Sequence, residues 1–244
     1  MTTREGADPD TQLTRLAALG EPIRRLLYRF VANQPDPVSR DQAAEGIGVA
    51  RHVAKFHLDK LAEDGLLDTD YRRPAGRSGP GAGRPTKLYR PAADEIAVSL
   101  PERHYDLAAD ILAQAVTATQ QSGISIGEAL HAAAHQTGAR LGQSDTDRIS
   151  DEATASAATI CGLLADHGYE PVTILGNDHQ ARIMLRNCPF HRLAEAYPDL
   201  VCGLNLDLLS GILDSHPDSG LNTRLDPGPG RCCVTLTPAT APGS

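Results

Sequence analysis

The stretch Val49–Leu67, VARHVAKFHLDKLAEDGLL, decides how the first part of the chain is read. Its apolar residues Ala54, Leu58 and Leu61 recur at helical spacing, while Arg51, His52, Lys55 and Lys60 fall outward. Just before it, PDPVSRDQAAEGIG (35–48) offers Ser39 as the N-cap of a short helix ending at Gly46 or Gly48. Two short helices joined by a tight glycine turn, the second basic on its outer face, predict a helix-turn-helix. Upstream, TQLTRLAALGEPIRRLLYRFVANQ repeats Leu13, Leu16, Leu19, Ile23, Leu26, Leu27 and Phe30 as a helical stripe, with a break at Gly20–Pro22.

Downstream, LLDTDYRRPAGRSGPGAGRPTKLYRPA begins and ends as strand around a loop of Gly, Pro, Ser and Arg. Residues 71–90 hold six basic side chains, Arg72, Arg73, Arg77, Arg84, Lys87 and Arg90, and no acidic one. This predicts a β-hairpin wing whose cations neutralise phosphates, while Arg51 and Lys55 reach base edges in a major groove. The candidate DNA-contacting set is therefore Arg51, His52, Lys55, Lys60, Arg72, Arg73, Arg77, Arg84 and Lys87. The segment GPGAGRP lacks the GxxxxGK[ST] pattern and opens no helix, which argues against a phosphate-cradling loop.

These residues, Ser39–Leu67 followed by the GRPTKLYR return strand, resemble the winged helix of ArsR-like bacterial transcriptional regulators. The resemblance implies a homodimer on two-fold-related double-stranded operator DNA.

Charge divides the chain. Residues 1–92 carry 15 Lys and Arg against 12 Asp and Glu, whereas the remainder carries 8 against 19, so the overall net charge of -8 is made of +3 in the first part and -11 in the second. Such asymmetry fits two modules with different partners. Aromatics make up only 4%, with no Trp, and no run approaches the roughly 18 apolar residues of a membrane span. The start, MTTREGADPD, lacks a signal peptide's apolar stretch, and the expected location is cytoplasmic.

From Pro101 to Gly142 the sequence is Ala-rich and helical, with Leu107, Ile111, Leu112 and Val116 on one face. This suits a connector that pairs with its copy in a dimer. His131 and His135 in HAAAH lack the glutamate of a zinc protease motif and read as polar surface. Beyond Asp151, TASAATICGLLADHGYEP predicts a helix closed by Gly168. Val172–Leu175 and Ala181–Arg186 follow as strands, then two helices through HRLAEAYPDLVCGLNLDLLSGILDSH, and a closing strand in RCCVTLTP. The expected fold class is α+β: a winged helix-turn-helix domain (1–92), connecting dimerisation helices (93–150) and an α+β sensor domain with a small antiparallel sheet (151–244).

All five cysteines lie in the acidic part, and an odd count in a cytoplasmic chain favours metal or redox chemistry over a disulfide scaffold. Cys161, inside TICGLL, reads as a small packed hydrophobe. Cys188 precedes a helix, Cys202 begins the next, where helix N–H groups favour a thiolate, and Cys232 and Cys233 start the last strand. Strand alternation lets only one of the doublet easily join Cys188 and Cys202; Cys232, on the face of Val234 and Leu236, is the expected one. His191 is a candidate fourth ligand or hydrogen-bond partner. Zinc, an iron-sulfur cluster and a Cys188–His191 catalytic pair all remain open from spacing alone.

NCPFHRLAEAYPDLVCGLNLDLLSGILD with the late PGPGRCCVTL resembles the sensor half of the iron-sulfur-dependent repressors of SUF operons. More loosely, the Cys-Gly pair, a later glycine and a C-x-V resemble vinyl-reductase-like (V4R) small-ligand domains. The resemblance implies a non-enzymatic regulator, a repressor. Its operator affinity follows an iron-sulfur cluster, 4Fe-4S, on Cys188, Cys202 and one of Cys232 and Cys233, with His191 as a further candidate. The alternative is a regulator of the same architecture controlled by zinc or a hydrophobic small molecule.

Overall fold

The computed structural model describes residues 9–72, 85–93, 96–146, 157–175 and 181–239. They form two compact units, Met1–Val98 and Ser99–Ser244.

In the first unit the apolar stripe splits as expected into α1 (Pro9–Ala18) and α2 (Pro22–Ala32). Glu21 caps α2, its carboxylate accepting the Arg24 amide at 2.6 Å. Ser39 caps α3 (Arg40–Ile47) in a reciprocal box with Gln42, and Gly48 ends that helix at φ 70°, a left-handed conformation that glycine adopts without strain. Helix α4 (Arg51–Glu63) buries Ala54, Leu58 and Leu61, the three residues its periodicity pointed inward. Strands β2 (Leu67–Arg72) and β3 (Thr86–Pro91) pair antiparallel as the hairpin stems. A two-residue strand too short to leave a sequence pattern, β1 (Val38–Ser39), adds to β3 and places Val38 opposite Tyr89.

A single carboxylate ties the hairpin to α4. Asp59 accepts hydrogen bonds from Lys87 Nζ and from Tyr89 Oη, both at 2.7 Å, and lies 3.4 Å from Lys55 Nζ. Partial burial opposes its charge, but the bonds from Lys87 and Tyr89 outweigh it and hold the carboxyl below the usual carboxylate range. Burial, reinforced by that same bond, pushes the Tyr89 hydroxyl up.

The second unit begins with α5 (Tyr105–Ser122), α6 (Ile126–Thr146) and α7 (Ala157–Asp166). Strands β4 (Pro171–Leu175) and β5 (Ala181–Leu185) follow, then α8 (His191–Ala196) and α9 (Pro198–Asp214). After a 3₁₀ turn, β6 (Leu221–Leu225) and β7 (Val234–Pro238) complete an antiparallel sheet of order β4-β5-β7-β6. Strand β6 was not foreseen: LNTRL is mostly polar and only intermittently covered, and pairing with β7 makes it a strand.

Helix α9 is the spine of this unit, burying Val201, Leu204, Leu208, Leu209, Ile212 and Leu213. It lies along α6 at glycine-to-backbone distance. A Cβ on Gly138 would overlap the carbonyl oxygen of Leu208, and one on Gly211 would overlap that of His135. The expected separate connector, 93–150, is therefore divided: α5 and α6 share one core with the elements after residue 151, through Ala108, Ile111, Ala115, Ala129 and Ala134. Among the described residues no helix is long and apolar enough to cross a membrane.

Gly138→Ala and Gly211→Ala should each destabilise the second unit by about 1–3 kcal/mol in urea titrations followed by circular dichroism. Gly203→Ala, where an added Cβ meets nothing, should be neutral or stabilising by up to about 1 kcal/mol. Asp59→Asn should cost about 2 kcal/mol at pH 7. Because the folded carboxyl is depressed, its contribution is fully present above about pH 4 and fades as pH falls through the folded value, so wild type and variant should converge in acid.

Candidate functional site

On α4, the side opposite the buried Ala54, Leu58 and Leu61 carries His52, Phe56 and Lys60 at successive turns. Arg51 is paired with Asp41 across the α3–α4 turn and stays 62% exposed. His52 is exposed, and Lys55 reaches Asp59. Lys60 bridges Asp64 at 3.1 Å and Glu63 at 3.5 Å, and the Asp64 contact raises its pKa. In the hairpin, Arg72 lies 3.5 Å from Asp70 and Arg90 2.9 Å from Asp68. Lys87 is turned onto Asp59 and over the Tyr89 ring, which makes it a strut of the wing as well as a cation. Arg73, Arg77 and Arg84 lie outside the described residues. The surface is a helix with alternating paired cations and one bare aromatic ring, flanked by a basic hairpin stem.

In the second unit the four cysteines singled out by sequence meet two by two. Cys202 is bonded to Cys233 as a disulfide. Cys188 and Cys232 are both buried and close enough for each thiol to shift the other's ionisation. Because Cys232 and Cys233 are adjacent, the two pairs share one location, reached from the β5–α8 loop, from α9 and from the approach to β7.

The expectation that only one residue of the doublet takes part is corrected. Both stand before β7 begins at Val234, outside strict strand alternation, and each meets a different partner. Cys232 does share the buried side of Val234 and Leu236. Cys202 is the fifth residue of α9, beyond the first turn's free amides, so its partner is a sulfur and not the helix terminus.

Polar side chains hold the centre. The Asn205 amide, one helical turn after Cys202, donates to Cys232 Sγ at 3.1 Å, and its carbonyl accepts the Tyr169 hydroxyl at 2.5 Å. The Cys232 amide is fixed by Leu185 O at 2.8 Å. The neighbouring Cys232 lowers the pKa of Cys188 despite burial, helped by the Phe190 amide and the Arg103 guanidinium. Cys188 and burial in turn push Cys232 up. Burial also raises Tyr169, with the two sulfurs adding to it.

The chain entering this unit is fastened to the Cys188 loop. Asn187 donates to Glu102 O at 3.0 Å and to Gly168 O at 2.6 Å, while its carbonyl accepts from Arg103. Arg103 also reaches Cys188 O at 3.2 Å, and the His104 amide reaches Pro189 O at 3.1 Å.

His191 is not drawn to the sulfurs. It is half-exposed on α8, 3.4 Å from Glu195, so neither a three-sulfur-plus-histidine set nor a Cys188–His191 nucleophile and base is assembled. His131 and His135 are surface groups bridged to Asp207 and Asp214, each at 2.8 Å. Cys161 packs against the core, its thiol pushed up by burial. Among the described residues, no three His, Cys, Asp or Glu side chains close round a single metal-ion position. Asn187, Asn205, Tyr169 and Arg103 left no motif in the sequence. Their only signal is that three of them are polar residues inside or beside apolar runs around the cysteines.

A family model described as a helix-turn-helix domain matches residues 19–70, from the end of α1 through α4 into β2. No curated protein matches the chain. With capped α3, a tight glycine turn, α4 and a basic hairpin in that order, the N-terminal unit is a helix-turn-helix domain of the kind that DNA-binding transcriptional regulators carry.

Proposed function

We propose that the chain is a homodimeric winged-helix repressor whose operator affinity is set by an iron-sulfur cluster, of the 4Fe-4S type, held by Cys188, Cys202, Cys232 and Cys233. The observation that carries this reading is that four cysteines from three separate segments pair off around the consecutive Cys232 and Cys233 in the second unit. The donor set fits the group. Four cysteine sulfurs are the usual complement for such a cluster, and each cluster iron takes its own thiolate, so the sulfurs need not surround one ion. Arg103 and the Phe190 amide beside Cys188 favour the thiolate that ligation requires.

The Cys202–Cys233 bond has to be opened first. A dithiol supplies two electrons and two protons, becomes a disulfide itself and leaves two free thiols. When bound, the group supplies an iron- and oxidant-sensitive tie among the three segments. Asn205 orients Cys232, Asn187 orders the Cys188 loop, and Arg103 holds positive charge next to it.

Control of DNA binding requires that the two states of the centre favour different arrangements of the reader. The Glu102–His104 strap supports a route, because the chain leaving the first unit is hydrogen-bonded to residues 187–189 before α5 begins. Pinning α9 through Cys202 also acts on α6, against which it lies at backbone contact.

The full chain purified without air in the presence of a dithiol should contain iron and acid-labile sulfide. Its affinity for its selected duplex should change by about 5–150-fold on cluster removal. Cys188→Ser and Cys232→Ser should abolish iron binding. Asn187→Ala should keep the iron while the loaded and stripped affinities converge. A colourless wild type containing zinc, or neither metal nor sulfide, would overturn the cluster reading in favour of the zinc or small-molecule alternative.

A further inference from the structure

Phe56 is 67% exposed at the centre of the outer face of α4, diametrically opposite the core side chains of that helix. The ring is left in water on a well-packed helix, where covering it with a ligand's apolar group would be favourable. Its setting is polar and basic. His52 stands one turn before it, Lys60 one turn after, and Arg51 and Lys55 lie nearer the helix start. The acidic residue on this face, Asp59, is engaged by Lys55, Lys87 and Tyr89, and Glu63 is engaged by Lys60 at the far end.

The ring does not hang free. It meets His57 edge-on, with centroids 5.1 Å apart at 77°, and His57 Nδ1 lies 3.5 Å from the Glu21 carboxylate that caps α2. The contact limits the rotamer freedom the ring would lose on docking.

We propose that Phe56 reads sequence: its ring packs on the C5-methyl groups of thymines in the major groove. The inference rests on the first unit binding DNA and is independent of the iron-sulfur reading. Thymine is the one base that offers an apolar group in that groove, and aromatic and small apolar side chains are its natural partners. A lone ring surrounded by cations suits that surface. An apolar protein partner would call for a contiguous patch, which α4 does not offer. The neighbouring cations are complementary to phosphate and carry affinity, while Phe56 carries discrimination.

The test uses the full chain to enrich a duplex from a random-core pool, then remakes that duplex with uracil in place of thymine. Wild type should bind the uracil duplex about four-fold more weakly for each methyl group it contacts. Phe56→Ala, an exposed substitution that should leave the thermal unfolding curve unchanged, should bind both duplexes equally, near the affinity of wild type for the uracil form. Phe56→Met should retain part of the preference. Equal binding of both duplexes by wild type, or an undiminished thymine preference in Phe56→Ala, would overturn the inference. Failure of wild type to enrich any duplex would remove the DNA-binding reading itself, and the inference with it.

Discussion

The second unit depends on a constraint set by two neighbouring residues. Cys232 and Cys233 are consecutive, yet one meets Cys188 from the β5–α8 loop and the other meets Cys202 on α9. A backbone can satisfy both only if the loop, the helix and the approach to β7 converge. The rest of the unit is consistent with that. Leu185 O holds the doublet beside the end of β5, Asn205 and Tyr169 fill the polar space left around Cys232, and α9 is long and apolar enough to be the element on which everything packs. Buried polar groups cost free energy unless they are bonded, and here the two asparagines and the tyrosine are bonded to one another, to backbone or to sulfur.

The first unit shows the same economy with a charge in place of sulfur. Asp59 on α4 gathers Lys87 and Tyr89 from β3, which ties that helix to the hairpin stem. This arrangement neutralises a negative charge on the outer side of α4, the side proposed to meet DNA through His52, Phe56 and the helix-start cations. Salt links on the remaining cations are exposed and individually weak, which leaves those side chains free to exchange a carboxylate for a phosphate.

Most of the architecture was legible where local chemistry decides structure. The caps at Ser39 and Gly48, the break at Gly20–Pro22, the inward Ala54, Leu58 and Leu61, and the paired stems of the hairpin all follow from spacing and turn residues. What escaped depends on partners distant in sequence. Strands β1 and β6 exist because β3 and β7 offer them free edges. The helices from residue 101 to 142 look like a free-standing connector until Gly138 and Gly211 are seen to let α6 and α9 touch. The cysteine set was legible as a list, but its pairing was not, because alternation along a strand says nothing about residues that stand just outside it. His191 shows the converse: closeness in sequence to Cys188 did not bring its ring to the sulfurs.

The charge asymmetry acquires a physical meaning once the units are separated. The excess of basic side chains falls in the unit that carries the helix-turn-helix, and the acidic excess lies with the cysteine-bearing unit, where it disfavours adventitious contact with nucleic acid. The proposed control of DNA binding depends on what the cysteines of the second unit hold. Iron K-edge absorption of the anaerobically prepared full chain is the most direct measurement. It should show iron in an all-sulfur first shell with further iron at short range, and it should show neither in the Cys188→Ser variant. Iron ligated by oxygen or nitrogen alone, or no bound iron in the reduced wild type, would contradict it.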